Sequence, residues 1–226
     1  MTELHALRCW LLTLTHDTME CEGASDAAHD YDHIVRVMAL ADTLQKSEGG
    51  DLATIWAAVA LHDIGQERER RLGGDHALIS AEMALVLLTE TQFPQEAIPM
   101  VQEAIRDHRM TGGTRPHTVE GRILYDADKI DCLGAIGVGR LYCITGRYNQ
   151  KVYSPLPPDI VEPVDPLVVR ALRRRPDYSP SIEFQLLFGD LSARMTTTTG
   201  HVLAQERYDY MAGFFARLRL EIEGTL

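Results

Sequence analysis

His62 and Asp63 stand side by side at the end of an apolar run, in Leu61-His62-Asp63-Ile64-Gly65. An imidazole next to a carboxylate can share one divalent cation when a helix end presents both. A dipeptide alone is weak evidence, and two distant residues strengthen it. His33 opens a stripe made of Ile34, Val37, Met38, Ala41 and Leu44, and Asp128 lies four residues after Leu124 on another stripe, so both point inwards. A lone buried carboxylate is costly. A cation held by His33, His62, Asp63 and Asp128 satisfies all of them, and a hydrogen-bond network among the same side chains is the alternative.

Cationic side chains cluster near these residues. Arg68, Arg70 and Arg71 follow the doublet closely, and Lys129 is the neighbour of Asp128. A guanidinium fork matches phosphate geometry, although an arginine run in an acidic protein also reads as a solvated face. Arg173-Arg174-Arg175 has the same two readings.

The elements that carry these residues read as helices. Gly49-Gly50 stops the His33 helix, and Asp51 is placed to N-cap the next, which bears Trp56, Val59 and Ala60 towards His62. A polar connection over 66–75 leads to a third periodic segment with Ala77, Ala81, Ala84, Leu85 and Leu88 on one face. A fourth carries Ala97, Val101, Ala104, Ile105 and His108, and Gly112-Gly113 with Pro116 marks a loop before a fifth, which holds Ile123, Leu124, Ala127 and Asp128. Prolines at 155, 157, 158, 163, 166 and 176 break continuity over about 149–181, which reads as a lid-like excursion. Order returns at about 182–224, ending in a long helix from about Val202 with Tyr208, Met211, Phe214, Phe215, Leu218 and Ile222 as its stripe. Alternating strand patterns are lacking, so the expected class is all-α: one domain over 1–226 with a helical core at about 30–148.

The composition narrows the function. With 226 residues, 45% hydrophobic and 24% charged, the chain has the makings of one sizeable core. A net charge of -11 argues against a nucleic-acid polymer as the partner. Cys9, Cys21, Cys132 and Cys143 form no C-x-x-C pair and read as reduced thiols. No apolar stretch resembles a signal peptide or approaches the roughly 20 residues of a membrane span, so a cytoplasmic protein without a membrane partner is expected.

The text Tyr31-Asp32-His33-Ile34-Val35-Arg36-Val37, Leu61-His62-Asp63-Ile64-Gly65 and Tyr125-Asp126-Ala127-Asp128-Lys129-Ile130-Asp131 resembles the HD-domain metal-dependent phosphohydrolases. The stretch from Asp126 to Arg140, with Met195-Thr196-Thr197 and Ala204-Gln205-Glu206-Arg207, is similar to a bacterial branch typified by a nucleoside triphosphate pyrophosphatase. The resemblance spans about Asp30 to Glu223. It implies an HD helical bundle with an irregular Pro-rich insertion and a long C-terminal helix. It also implies His33, His62, Asp63 and Asp128 as ligands of a divalent metal: Mn, Mg, Co, Ni or Fe. Such a cation acidifies water and polarises phosphoryl oxygens, and the implied reaction takes a nucleoside or deoxynucleoside triphosphate to monophosphate and pyrophosphate.

HD proteins with two metals also resemble this chain. They imply second-metal or substrate-phosphate roles for His76 and His108, with hydrogen-bonded core histidines as the alternative. Three positions beyond the doublet, where the family keeps an acid or base, this chain has Gln66. Glu67 is the substitute for proton transfer, and Asp131 shares the helical face of Asp128. Lys129, Arg68 and Arg71 are the candidate substrate contacts. Two rival functions stay open: a di-iron oxygenase, which some HD proteins with six ligands resemble, and a non-catalytic nucleotide sensor, for which Gln66 is the motive. The long C-terminal helix is compatible with a homodimer.

Overall fold

The computed structural model describes residues 3–23, 30–109, 115–160 and 166–226; the loop expected at Gly112-Gly113 and the break at Pro163 lie outside them. No strand occurs among the described residues, in line with the all-α expectation. No described helix is long and apolar enough to cross a membrane. The chain divides into two compact units, Met1–Asp128 and Lys129–Leu226.

The first unit is organised around an uncharged helix. It comprises α1 (Glu3–Glu22), α2 (Tyr31–Glu48), α3 (Leu52–Leu61), α4 (Gln66–Leu72), α5 (His76–Thr89), α6 (Ile98–Asp107) and most of α7 (Val119–Asp131). Every residue of α3 from Thr54 to Leu61 is buried, as expected for a helix that is apolar all round. α1, α2, α5 and α6 pack against it. Asp30, Asp51 and Asp75 cap α2, α3 and α5 by accepting from the backbone N–H of His33, Thr54 and Ala77. The stripe read for α2 is the buried face observed.

Two sequence expectations are corrected here. The 66–75 connection contains a helix, α4, built of strong helix formers with Glu67 and Glu69 in its first turn and Arg70 and Arg71 in its last. None of its residues is buried, so no apolar period announces it. On α5, Ala77, Ala81, Ala84 and Leu88 are buried while Leu85 is 42% exposed. The alanine face admits α6 closely, and Leu85 falls to the side of it.

The second unit contains α8 (Gly134–Arg147), α9 (Pro166–Leu172), α10 (Pro180–Glu183), which continues into a π-helical turn over Phe184–Phe188, and α11 (Thr198–Ile222). The segment 149–181 is less irregular than its prolines suggest, because Pro166 and Pro180 each stand at a helix start, where a missing N–H costs nothing. Thr197 caps α11, so this helix begins four residues before the expected Val202. Met211 and Phe215 are buried, with Phe184 stacked on Phe215 at 4.8 Å between ring centroids. Ile222, expected on the stripe, is 53% exposed: α11 has left the core by its last turn.

Candidate metal centre

Four helix ends deliver one cluster. The Asp30 cap, 3.0 Å from the His33 amide, fixes His33 in the first turn of α2, where it is 1% exposed. The buried α3 ends at His62, its C-cap, and hands Asp63 to the same place. Gly65 then makes the next approach feasible. A Cβ there would lie 2.8 Å from Ser80 N and 2.9 Å from His76 O, so only glycine lets the first turn of α5 lie against the doublet. His76 begins that turn, His108 caps the end of α6, and Asp128 comes from α7. All of these side chains are buried.

Asp63 is the centre of the arrangement. Its Oδ2 lies 3.7 Å from His33 Nε2 and 3.5 Å from His62 Nε2. Asp128 Oδ1 adds a fourth atom to that group, 3.4 Å from His33 Nε2 and 4.0 Å from His62 Nε2. The other oxygen, Oδ1, lies 3.6 Å from both His76 Nε2 and His108 Nε2, which are themselves 3.3 Å apart. The carboxylate separations are too long for hydrogen bonds, yet they are the spacings of donor atoms around a common ion with bonds near 2.1 Å.

Ring tautomers, assigned from their partners, show what the nitrogens have to offer. His62 Nδ1 faces the Val59 carbonyl at 2.8 Å, His108 Nδ1 faces the Ile105 carbonyl at 2.6 Å, and His76 Nδ1 faces a Glu69 carboxylate oxygen at 3.0 Å. Each partner only accepts, so each Nδ1 carries a proton and Nε2 is the nitrogen turned to the cluster. Metal-binding histidines are held in this way. His62 Nε2 is fully buried and has no hydrogen-bond partner among the described residues, a costly arrangement in a dry interior. His76 Nε2 and His108 Nε2 face one another at 3.3 Å. A cation beside Asp63 would give the orphaned His62 nitrogen a partner, so the residues present fit a divalent metal. Burial is the main force on His62 and pushes its pKa down to about 4, keeping the imidazole neutral. Burial alone would raise Asp63, but the surrounding His62, His108 and His76 outweigh it and hold the carboxyl well below its usual range.

The remaining candidates fall into different places. Gln66 donates its amide to Asp63 Oδ2 at 2.5 Å, which makes it a holder of that carboxylate. Glu67 is engaged by Arg70 at 2.6 Å. Arg68 and Arg71 both reach Glu22 on α1, at 2.6 and 2.9 Å, so neither is brought to the cluster. Asp131 pairs with Arg140 at 2.8 Å. Lys129 is buried. In the triple-arginine run, Arg173 is tied to Glu183 and Arg175 to Asp159 and Asp177, so carboxylates already occupy those two guanidinium groups. Sequence reading missed Glu69 and Arg109. Glu69 stands one turn beyond Gln66, and both would have been found on one face had α4 been read as a helix.

Comparison with known proteins agrees with this geometry. Residues 30–133 match the HD domain family model, a span that contains every side chain of the cluster. Over its whole length the chain is similar to the uncharacterized protein YpgQ of Bacillus subtilis, at 22% identity across 99% of this chain and 96% of that one. A crystal structure of YpgQ in complex with ADP superposes with a TM-score of 0.69 at 22% identity, covering 98% of this chain and 99% of that one. A predicted HD superfamily hydrolase from an uncultured Thermotogales bacterium gives a TM-score of 0.63 at 26% identity, covering 93% and 90% of the two chains.

Proposed function

We propose that the chain, whose residues 30–133 match the HD domain family model, is a metal-dependent phosphohydrolase of HD type that hydrolyses nucleoside triphosphates to monophosphate and pyrophosphate. The observation that carries the reading is the pair of donor groups flanking Asp63. In this proposal His33, His62, Asp63 Oδ2 and Asp128 hold one divalent cation, and His76, His108 and Asp63 Oδ1 hold a second. Such cations, when bound, acidify water and neutralise charge on a phosphoanhydride. Nucleotide as substrate is supported by the capture of ADP by the similar YpgQ.

The protein's own groups define the rest. The carbonyls of Val59 and Ile105 and the carboxylate of Glu69 fix the imidazole tautomers, so no donor has to reorganise before a ligand binds. Gln66 holds Asp63 by its amide and has no proton to give at neutral pH. Arg68 and Arg71 have no part in this proposal, because Glu22 already engages them.

A second reading has one observation in its favour: the six side chains that a di-iron oxygenase would need, His33, His62, Asp63, His76, His108 and Asp128, do converge. Phosphorus NMR of a triphosphate panel with purified protein and Mn2+ separates the two. Pyrophosphate plus monophosphate is expected, with none from Asp63→Ala. Orthophosphate as the only inorganic product overturns the bond assignment, and oxygen uptake by iron-loaded protein that leaves every triphosphate intact overturns the hydrolase.

A further inference from the structure

One buried cation of the protein's own lies just outside the cluster. Arg109 follows His108 directly in the chain, and its side chain is 12% exposed. Its Nη1 lies 2.6 Å from Asp75 Oδ2 and 3.9 Å from Glu69 Oε1. Those two carboxylates have separate tasks at the same histidine. Asp75 caps α5 by accepting from Ala77 N at 2.9 Å, which fixes the backbone where His76 begins. Glu69 accepts from His76 Nδ1 at 3.0 Å, which fixes the ring.

We propose that Arg109 is a positioning residue for His76: by bridging Asp75 and Glu69 it holds the imidazole as the Nδ1–H tautomer, with Nε2 aimed at His108 Nε2 and Asp63 Oδ1, and so preorganises the second cation position. The proposal rests on the two-cation reading above. A guanidinium suits the task, because its Nη1 pairs with Asp75 at 2.6 Å while its charge also faces Glu69 at 3.9 Å. Glu69 is 24% exposed, and Arg109 is the charged side chain that faces its Oε1 from beside His108. Because Arg109 extends the segment that carries His108, one side chain links the chain stretches that deliver both histidines.

The test uses the full-length protein stripped of metal, titrated with Mn2+ by calorimetry, with spin counting by EPR. Wild type binds two ions per chain. Arg109→Ala keeps the first ion within twofold and weakens the second by about 10- to 100-fold, the usual range for losing an outer partner of a ligand. Arg109→Lys, which keeps the charge but not the planar guanidinium geometry, falls between. Long-range 1H–15N spectra of the metal-free proteins supply the independent readout: His76 is Nδ1-protonated in wild type and a tautomer mixture in Arg109→Ala. A merely structural role would move both ions equally and leave the tautomer alone. That result, or a second-ion affinity unchanged within twofold, overturns the proposal. One ion per chain in wild type overturns the two-cation reading, and the tautomer comparison then still decides whether Arg109 sets the His76 ring.

Discussion

The two units differ in how their buried charged and titratable groups meet. In Lys129–Leu226 two buried carboxylates each face a guanidinium, Asp131 with Arg140 at 2.8 Å and Glu183 with Arg173. Ser179 Oγ lies 2.8 Å from Ser181 Oγ, and Ser181 donates to Ser154 O at 2.9 Å, while Ser154 Oγ and Tyr178 OH have no hydrogen-bond partner among the described residues. In Met1–Asp128 the Nδ1 atoms of His62, His76 and His108 each face an acceptor, while their Nε2 atoms converge on Asp63 at 3.5–3.6 Å. Satisfied buried polarity holds a fold together. Imidazole nitrogens that converge on one carboxylate are the arrangement expected of a candidate metal site.

That contrast predicts which substitutions cost activity and which cost stability. The largest effect belongs to Asp63, which faces both donor groups: Asp63→Ala should lower triphosphate turnover at least about 1,000-fold, with far-UV circular dichroism unchanged. Turnover within tenfold of wild type would break the comparison at its strongest point. Glu183→Ala is the opposite case. It leaves Arg173 charged and unpaired at a mostly buried position, so urea denaturation should show a loss of about 3–5 kcal/mol, while Mn2+ stoichiometry stays at the wild-type value.

A smaller effect, in the metal-stripped protein, comes from His62. Its folded pKa, about 4, lies below the ordinary value of 6.5, so the unfolded chain takes up the proton first. The stability contributed by neutral His62 is therefore complete above pH 6.5 and is lost as pH falls through about 4. The loss is on the order of 3 kcal/mol, and the facing Asp63, Asp128, His33 and His108 set its midpoint. Equal denaturation midpoints at pH 7 and pH 4.5 in EDTA would show that His62 titrates as an exposed histidine does.

How much of this was legible in the sequence follows from what makes a signal. The stripe of α2 and the uncharged run of α3 reported helices and their buried faces directly, and the histidines at their ends were placed correctly because helix ends are chemically marked. α4 was hidden because it buries nothing, and Glu69 was hidden with it. The pairing of Arg68 and Arg71 was hidden for a related reason: their partner, Glu22, sits 46 and 49 residues away, a distance no local pattern spans. Asp63 was legible as a ligand type, but the sharing of its two oxygens between separate histidine pairs arises only when four helix ends meet.

The central claim is that Asp63 lies between two cation positions, and an anomalous difference map from a crystal grown with Mn2+ tests it most directly. The account predicts two peaks flanking the Asp63 carboxylate, one among His33, His62 and Asp128 and the other beside His76 and His108. A map from a Mn2+-saturated crystal with no peak within about 3 Å of either Asp63 oxygen, beyond any metal–oxygen bond, would contradict it.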